Sequence, residues 1–472
     1  MARYAMGAIG VLLLLTTGCQ VLTAPIPLQD PPPQLADLGS SSEPKKIALF
    51  FDGTSNDQAS ETNIWRLYEI VQKGGHATTF YIEGVGTKKK AIGMATAWGI
   101  DTRVQAAYQF LLERYRHGDE IYVFGFSRGA YSARILASML YYAGLPSLSE
   151  RARQQEANEI TSAVYTAYKC STWSGDAHCA SIKSFQRADN ITDALRHFDL
   201  EVGKPVQVQF LGLWDTVEAL GWPDYEQNVD VPNPRYGDQL CNVKKAAHAL
   251  SLDDNRARIF TPILLTRKHL LADCGRSPDE QELKENWARV LNERVEEVYF
   301  AGAHADVGGG YTDAANKLSG VSLAWMMDRS VEAGLPIDQA VLDHQKLKQD
   351  PTACTHDAEA ELPYGALYKR QYRDIFAYAA SGESSSALIK FHACLIKHIE
   401  TRPRTIAEFG GGDPEAQSLL RRMSTQDYFN DCFEFSDGKY GWRRKESCVV
   451  KVTGSCPTGE SRIEDCNDRT AR

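Results

Sequence analysis

From residue 45 onward, short apolar runs alternate with amphipathic stretches. Ile47–Phe51, Thr79–Ile82, Ile121–Phe124, Val206–Leu213 and Val295–Ala301 are rich in β-branched and aromatic residues and read as strands. Between them, "TRVQAAYQFLLERYR" and "YSARILASMLYYAG" repeat apolar residues at helical spacing, with Ala133, Ile135, Leu136 and Leu140 marking the second pattern. This alternation predicts an α/β fold, a mostly parallel sheet with helices on both faces. Residues 145–205 interrupt it with polar helical sequence and two cysteines, and read as a cap or insertion over the C-terminal edge of the sheet. The expected catalytic domain is 45–340. Residues 341–472 read as a C-terminal extension, with helical material around 386–400 and a cysteine-rich, disulfide-stapled end. His248, in "AAHALSLDDNR", falls on a stretch read as helical and is expected to be structural.

The N-terminus follows a different pattern. Arg3 precedes an apolar run ending at Leu15, shorter than the ~20 apolar residues that span a bilayer comfortably, so residues 1–19 read as a signal peptide. Thr17-Gly18-Cys19 resembles a bacterial lipobox, although Thr16 stands where such boxes usually carry leucine. The resemblance implies a lipid anchor at Cys19, and Gln20 implies outer-membrane sorting. The alternative is a signal peptide cut without lipidation. Residues 20–44, rich in proline and serine, read as a flexible tether. The expected location is the cell envelope of a Gram-negative bacterium.

Cysteine usage fits an oxidising compartment. Setting Cys19 aside from the eleven cysteines leaves an even number. Cys170 with Cys179, and two pairs among Cys432, Cys448, Cys456 and Cys466, are the expected partners. No C-x-x-C pair occurs, which argues against a zinc ribbon. A formal net charge of −9 argues against a general nucleic-acid binder. Lys88-Lys89-Lys90 reads as a solvated loop, with phosphate binding as the alternative.

Chemistry gathers where the strands end, since parallel sheets bind ligands beyond the carboxyl ends of their strands. Gly125-Phe126-Ser127-Arg128-Gly129 stands between a strand and a helix, the setting of a G-x-S-x-G nucleophile elbow. The first strand delivers Asp52-Gly53-Thr54, the fourth Asp215, and the fifth His304 and Asp306. The chain order Ser…Asp…His is that of α/β-hydrolases. Ser127 is then the candidate nucleophile, His304 the base and Asp215 the orienting acid, with Asp52 and Asp306 as alternative acids. The N–H of Arg128 is one candidate oxyanion donor, and Gly53 or Thr54 the second. A divalent ion held by Asp52, Asp215, His304 and Asp306 is the competing reading, but it leaves the serine elbow without a purpose. No metal or cofactor is expected.

"FFDGTSND", "TNIWRL", "YIEGVGT", "GFSRGAYSAR", "FLGLWDTVEALG", "HALSLDDNRARIF", "YFAGAHADVGGGY" and "LAWMMDRSVEAGL" run in order from about residue 45 to 336. Together they resemble the uncharacterised bacterial and fungal α/β-hydrolase family that includes the catalytic domain of type VI secretion phospholipase effectors. The resemblance implies an α/β-hydrolase-like fold and a serine-dependent lipolytic hydrolase, with Ser127, Asp215 and His304 as its triad. The effectors are injected toxins without a signal peptide, so the lipobox is a departure that favours a resident, tethered enzyme. The expectation is a carboxylic ester hydrolase acting on phospholipids or other lipids at the membrane that holds it. The alternatives are an esterase or acyltransferase on smaller esters, a non-catalytic envelope lipoprotein binding a protein partner, and an accessory lipoprotein encoded near a secretion system.

Overall fold

Lys46–Phe51 forms strand β1 of a computed structural model that describes residues 44–84, 100–169, 187–217, 237–254, 256, 260–311, 317–356, 373, 375, 389–401, 404–405, 433–436, 439–442, 448 and 450–457. The expected signal peptide with Cys19, nearly all of the expected tether, Lys88–Lys90, Cys170, Cys179, Cys432 and Cys466 lie outside the described residues.

The remaining strands are β2 (Thr78–Ile82), β3 (Glu120–Phe126), β4 (Val208–Trp214), β5 (Ala246–Ser251), β6 (Val295–Phe300), β7 (Ile389–His392), β8 (Arg404–Thr405), β9 (Phe433–Ser436), β10 (Lys439–Trp442) and β11 (Val450–Thr453). Eight of them form one sheet in the order β11-β7-β6-β5-β4-β3-β1-β2, and every pairing in it is parallel. β8, β10 and β9 form a small antiparallel sheet. The helices used below are α1 (Asn63–Gly74), α2 (Ile100–Arg114), α3 (Arg128–Tyr142), α4 (Glu150–Gln155), α5 (Ala157–Lys169), α6 (Arg187–Arg196), α7 (Pro278–Glu285), α8 (Trp287–Arg294), α9 (His304–Gly308) and α10 (Ser319–Glu332).

Both faces of the sheet are buried, which explains the continuous apolar runs. Ile47, Leu49, Phe51, Ile121 and Val123 point into a core shared with α2 and α3. Ala48, Phe50, Tyr122, Phe124 and Phe126 point the other way, into a core shared with α1 and α10. The connection through β1 and β2 lies on one side of β3, and β4 onward lies on the other. The sheet therefore has a switch point between β1 and β3, the place at which open α/β sheets bind ligands beyond their strand ends.

Several expectations are corrected. "AAHALS" is strand β5, not helix, and His248 sits on it fully buried. A strand covered on both faces has no polar alternation, and its alanines favour a helical reading. Around 386–400, residues 389–392 are strand and only Ala393–Thr401 are helix. The C-terminal extension carries the small sheet, and it also lends β7 and β11 to the main one. Cys456 pairs with Cys394, outside the four-cysteine tail set, and a second disulfide joins Cys241 to Cys274. The described part of 145–205 leaves and rejoins the fold at the N-terminal edge of the sheet, where Gly203 N–H donates to Ala143 O and Val206 N–H to Leu140 O. Ile160, Val164, Tyr168, Ile191 and Leu195, on α5 and α6, pack on the α2–α3 side, so these helices form an added layer instead of covering the strand ends.

Candidate active site

Ser127 stands between β3 and α3 with φ 59° and ψ −127°, a left-handed conformation that side chains rarely adopt. Such strain costs of order 1–3 kcal/mol and persists only where the surroundings enforce it. Here they do. A Cβ on Gly125 would lie 2.5 Å from Ala130 Cα, and one on Gly129 would strike the carbonyl oxygens of Phe51 and Asp52. The serine N–H donates to Trp214 O at 2.9 Å, which ties the turn to β4. Its side chain takes no cap bond to α3.

Asp215, just after β4, is also left-handed (φ 42°) and fully buried. Its Oδ2 lies 2.5 Å from His304 Nδ1. Its carboxylate also accepts from Ser251 N at 3.0 Å and Ser251 Oγ at 3.1 Å. Arg373 grips both oxygens, Nη1 to Oδ1 at 2.6 Å and Nη2 to Oδ2 at 2.8 Å. Burial alone would raise the Asp215 pKa, but the Arg373 charge and the His304 contact hold it far below the carboxylate range.

His304 opens α9. Its N–H donates to Asp254 Oδ2 at 3.2 Å, and Asp254 is paired with Arg256. Its imidazole packs 4.6 Å from the Phe126 ring, beside the elbow, and 4.8 Å from Phe260. Nε2 is buried with no hydrogen-bond partner, so the bond to Ser127 is not made in this structure. Burial lowers the imidazole pKa against the opposing pull of Asp215, leaving a neutral base.

The alternative acids are engaged elsewhere. Asp306 accepts from Ala303 N at 2.9 Å, within the turn that starts α9, and pairs with His356 Nδ1 at 2.6 Å. Asp52 accepts from Thr62 Oγ1 at 2.8 Å and Tyr81 OH at 2.6 Å, and burial pushes its carboxyl up to about 7 against those bonds. Asp52 Oδ1 also takes the Gly53 N–H at 2.7 Å, which removes Gly53 as an oxyanion donor in this conformation. Thr54 stands next to it, with its hydroxyl bonded to Arg128 Nε. Asp215 and His304 are thus tied to each other, Asp52 to Thr62 and Tyr81, and Asp306 to His356. Among the described residues no group of three His, Cys, Asp or Glu side chains is placed to hold a metal ion. His248 bonds Glu297 at 2.9 Å and accepts from Thr216 N at 3.1 Å, holding β5 to β6 and to the loop after β4.

Sequence reasoning missed Arg373, Ser251, Asp254 and His356. Ser251 and Asp254 lie in "HALSLDDNRARIF", beside a histidine that carries the more evident chemistry. Arg373 lies in a charged stretch with no local signal.

The family model described as "T6SS, Phospholipase effector Tle1-like, catalytic domain" matches residues 45–329, more than half of the chain. The chain belongs to that family. The uncharacterized protein YEL023C of Saccharomyces cerevisiae is 25% identical over 304 residues, covering 56% of this chain and 41% of the yeast protein. The chain therefore spans under half the length of this curated relative. Similar solved structures include an uncharacterized protein from Pseudomonas aeruginosa (18% identity, 63% of this chain and 47% of that one, TM-score 0.32). Another is the Tle1 effector bound to the VgrG spike of the type 6 secretion system (19%, 58% and 53%, TM-score 0.27). A propionate-bound esterase from Thermogutta terrifontis also matches (14%, 64% and 89%, TM-score 0.30). None of these structural likenesses bears on substrate.

Proposed function

We propose that the protein is a serine-dependent phospholipase of the cell envelope with Ser127, His304 and Asp215 as its triad. The observation that carries this reading is the Asp215–His304 pair, with an unpartnered Nε2, set against Phe126 beside a strained serine elbow. Ser127 Oγ attacks the acyl carbonyl carbon while its proton passes to His304 Nε2. Asp215 holds the ring with Nδ1 protonated and stabilises the imidazolium that forms. The oxyanion is met by the Arg128 N–H, the first of α3, and by a donor at Thr54. Collapse breaks the ester C–O bond, and the alcohol leaves with the proton from His304. A water then gives its proton to His304 and attacks the acyl-serine carbonyl; the carbonyl–Oγ bond breaks, the proton returns from His304 to Ser127 Oγ, and the fatty acid is released.

The family description favours a phospholipid substrate. The apolar run ending at Leu15 and the lipobox-like Thr17-Gly18-Cys19 favour anchoring at the membrane, with Gln20 favouring the outer one. A fluorophosphonate probe tests the mechanism: peptide mass analysis finds the label on Ser127 and finds none in Ser127→Ala. Labelling at another residue, or none on folded protein, refutes the serine assignment.

A further inference from the structure

Arg128 is a buried cation with no counter-charge among the described residues. The residue is 4% exposed, its Nε donates to Thr54 Oγ1, and its Nη1 is buried without a hydrogen-bond partner. The other charge acting on it is that of Arg103, itself held by the carbonyls of Glu83 and Gly84. Burial and this repulsion push the guanidinium down to about 10. Three other buried arginines are matched by carboxylates: Arg134 with Asp238, Arg256 with Asp254, Arg373 with Asp215. An isolated desolvated cation is costly to keep, so Arg128 is poised for an anion that arrives with a ligand. The fifteen-residue helix α3 begins at the same point with no side-chain cap and no acid in its first turn, which favours negative charge further.

We propose that Arg128 binds the phosphodiester of a glycerophospholipid whose acyl carbonyl lies at Ser127, and so sets a preference for phospholipids over neutral acylglycerols. This rests on the serine-hydrolase reading above. The phosphate of such a lipid lies only a few bonds from its ester carbonyls. A guanidinium one residue from the nucleophile is suitably placed to meet it. Thr54 fixes the Nε side of the guanidinium plane and leaves Nη1 to donate a charge-assisted hydrogen bond to a phosphate oxygen. The backbone of one residue then faces the oxyanion while its side chain faces the phosphate.

The test compares the full chain and Arg128→Gln on phosphatidylcholine and on diacylglycerol with the same acyl chains, in the same mixed micelles. The ratio of kcat/KM between the two lipids is expected to fall about tenfold or more in the glutamine variant. Arg128→Lys, which keeps the cation, retains most of that ratio. Equal losses on both lipids overturn the proposal, because a structural role would move both. If Arg128→Gln does not fold, glycerophosphocholine must inhibit diacylglycerol hydrolysis by the wild type competitively, and no inhibition overturns the proposal. If the wild type hydrolyses neither lipid, the hydrolase reading fails separately. Calorimetric binding of glycerophosphocholine, expected about tenfold weaker or more in Arg128→Gln and largely retained in Arg128→Lys, then decides the anion site, and equal binding by wild type and Arg128→Gln overturns it.

Discussion

Replacing Arg373 with methionine removes the charge that holds Asp215 ionised while leaving its other three bonds, to His304, Ser251 N and Ser251 Oγ, in place. The two groups are 0% exposed at their side chains and only 2.6 Å apart. Breaking such a pair leaves a buried, uncompensated carboxylate and costs about 3–5 kcal/mol of stability. The pH dependence has a definite sign. In the wild type the folded Asp215 pKa lies below its unfolded value, so its contribution is present above the unfolded pKa and is lost as pH falls through the folded one. In Arg373→Met the folded carboxyl binds protons more readily, so the deficit against wild type is greatest near neutral pH and shrinks on acidification. Urea unfolding of disulfide-intact protein at pH 7 and pH 4 measures both. Activity follows a separate order: the variant keeps the Asp215–His304 contact and so stays more active than Asp215→Asn, which loses about 10⁴-fold. A deficit under about 1 kcal/mol at pH 7, against the 3–5 expected, or one that grows on acidification, refutes the reasoning.

Three further outcomes follow from the same geometry. The acid limb of kcat/KM, which reports the free enzyme, should fall below the ordinary histidine value of 6.5, because burial lowers His304; a limb above 6.5 contradicts this. Gly129→Ala should destabilise the elbow by about 1–3 kcal/mol or more, since its methyl meets backbone carbonyls of Phe51 and Asp52 that cannot swing aside; an unchanged unfolding midpoint contradicts this. Asp52, raised to about 7 by burial, binds protons in the folded state between its unfolded pKa and that value, so its contribution is full below the unfolded pKa and lost as pH rises through 7. Asp52→Asn should remove that downward slope of stability with pH, and an identical slope in the variant contradicts the account.

Strand ends were the most legible part of the molecule. Runs such as Ile121–Phe124 carry β-branched and aromatic residues, and a glycine-flanked serine after one of them fixes where the chain turns. Asp215 and His304 could be chosen because each closes a strand-like run. β5 was hidden because "AAHALS" is buried on both faces and carries alanine where a strand usually carries valine or isoleucine. β7 and β11 are four-residue strands whose meaning comes from pairing with each other and with β6, at sequence separations that no local pattern records. Arg373 meets Asp215 across 158 positions, so only the folded chain makes it part of the site. The loss of Gly53 as a donor turns on the Asp52 side chain folding back onto its neighbour's N–H, a choice among rotamers that composition cannot show.

The most direct test of the central claim measures fatty-acid release from phospholipid vesicles by the full chain and by Ser127→Ala. The account predicts release by the wild type and a loss of about 10⁴-fold or more in the variant. Equal release by both, or none from folded wild-type protein, would contradict it.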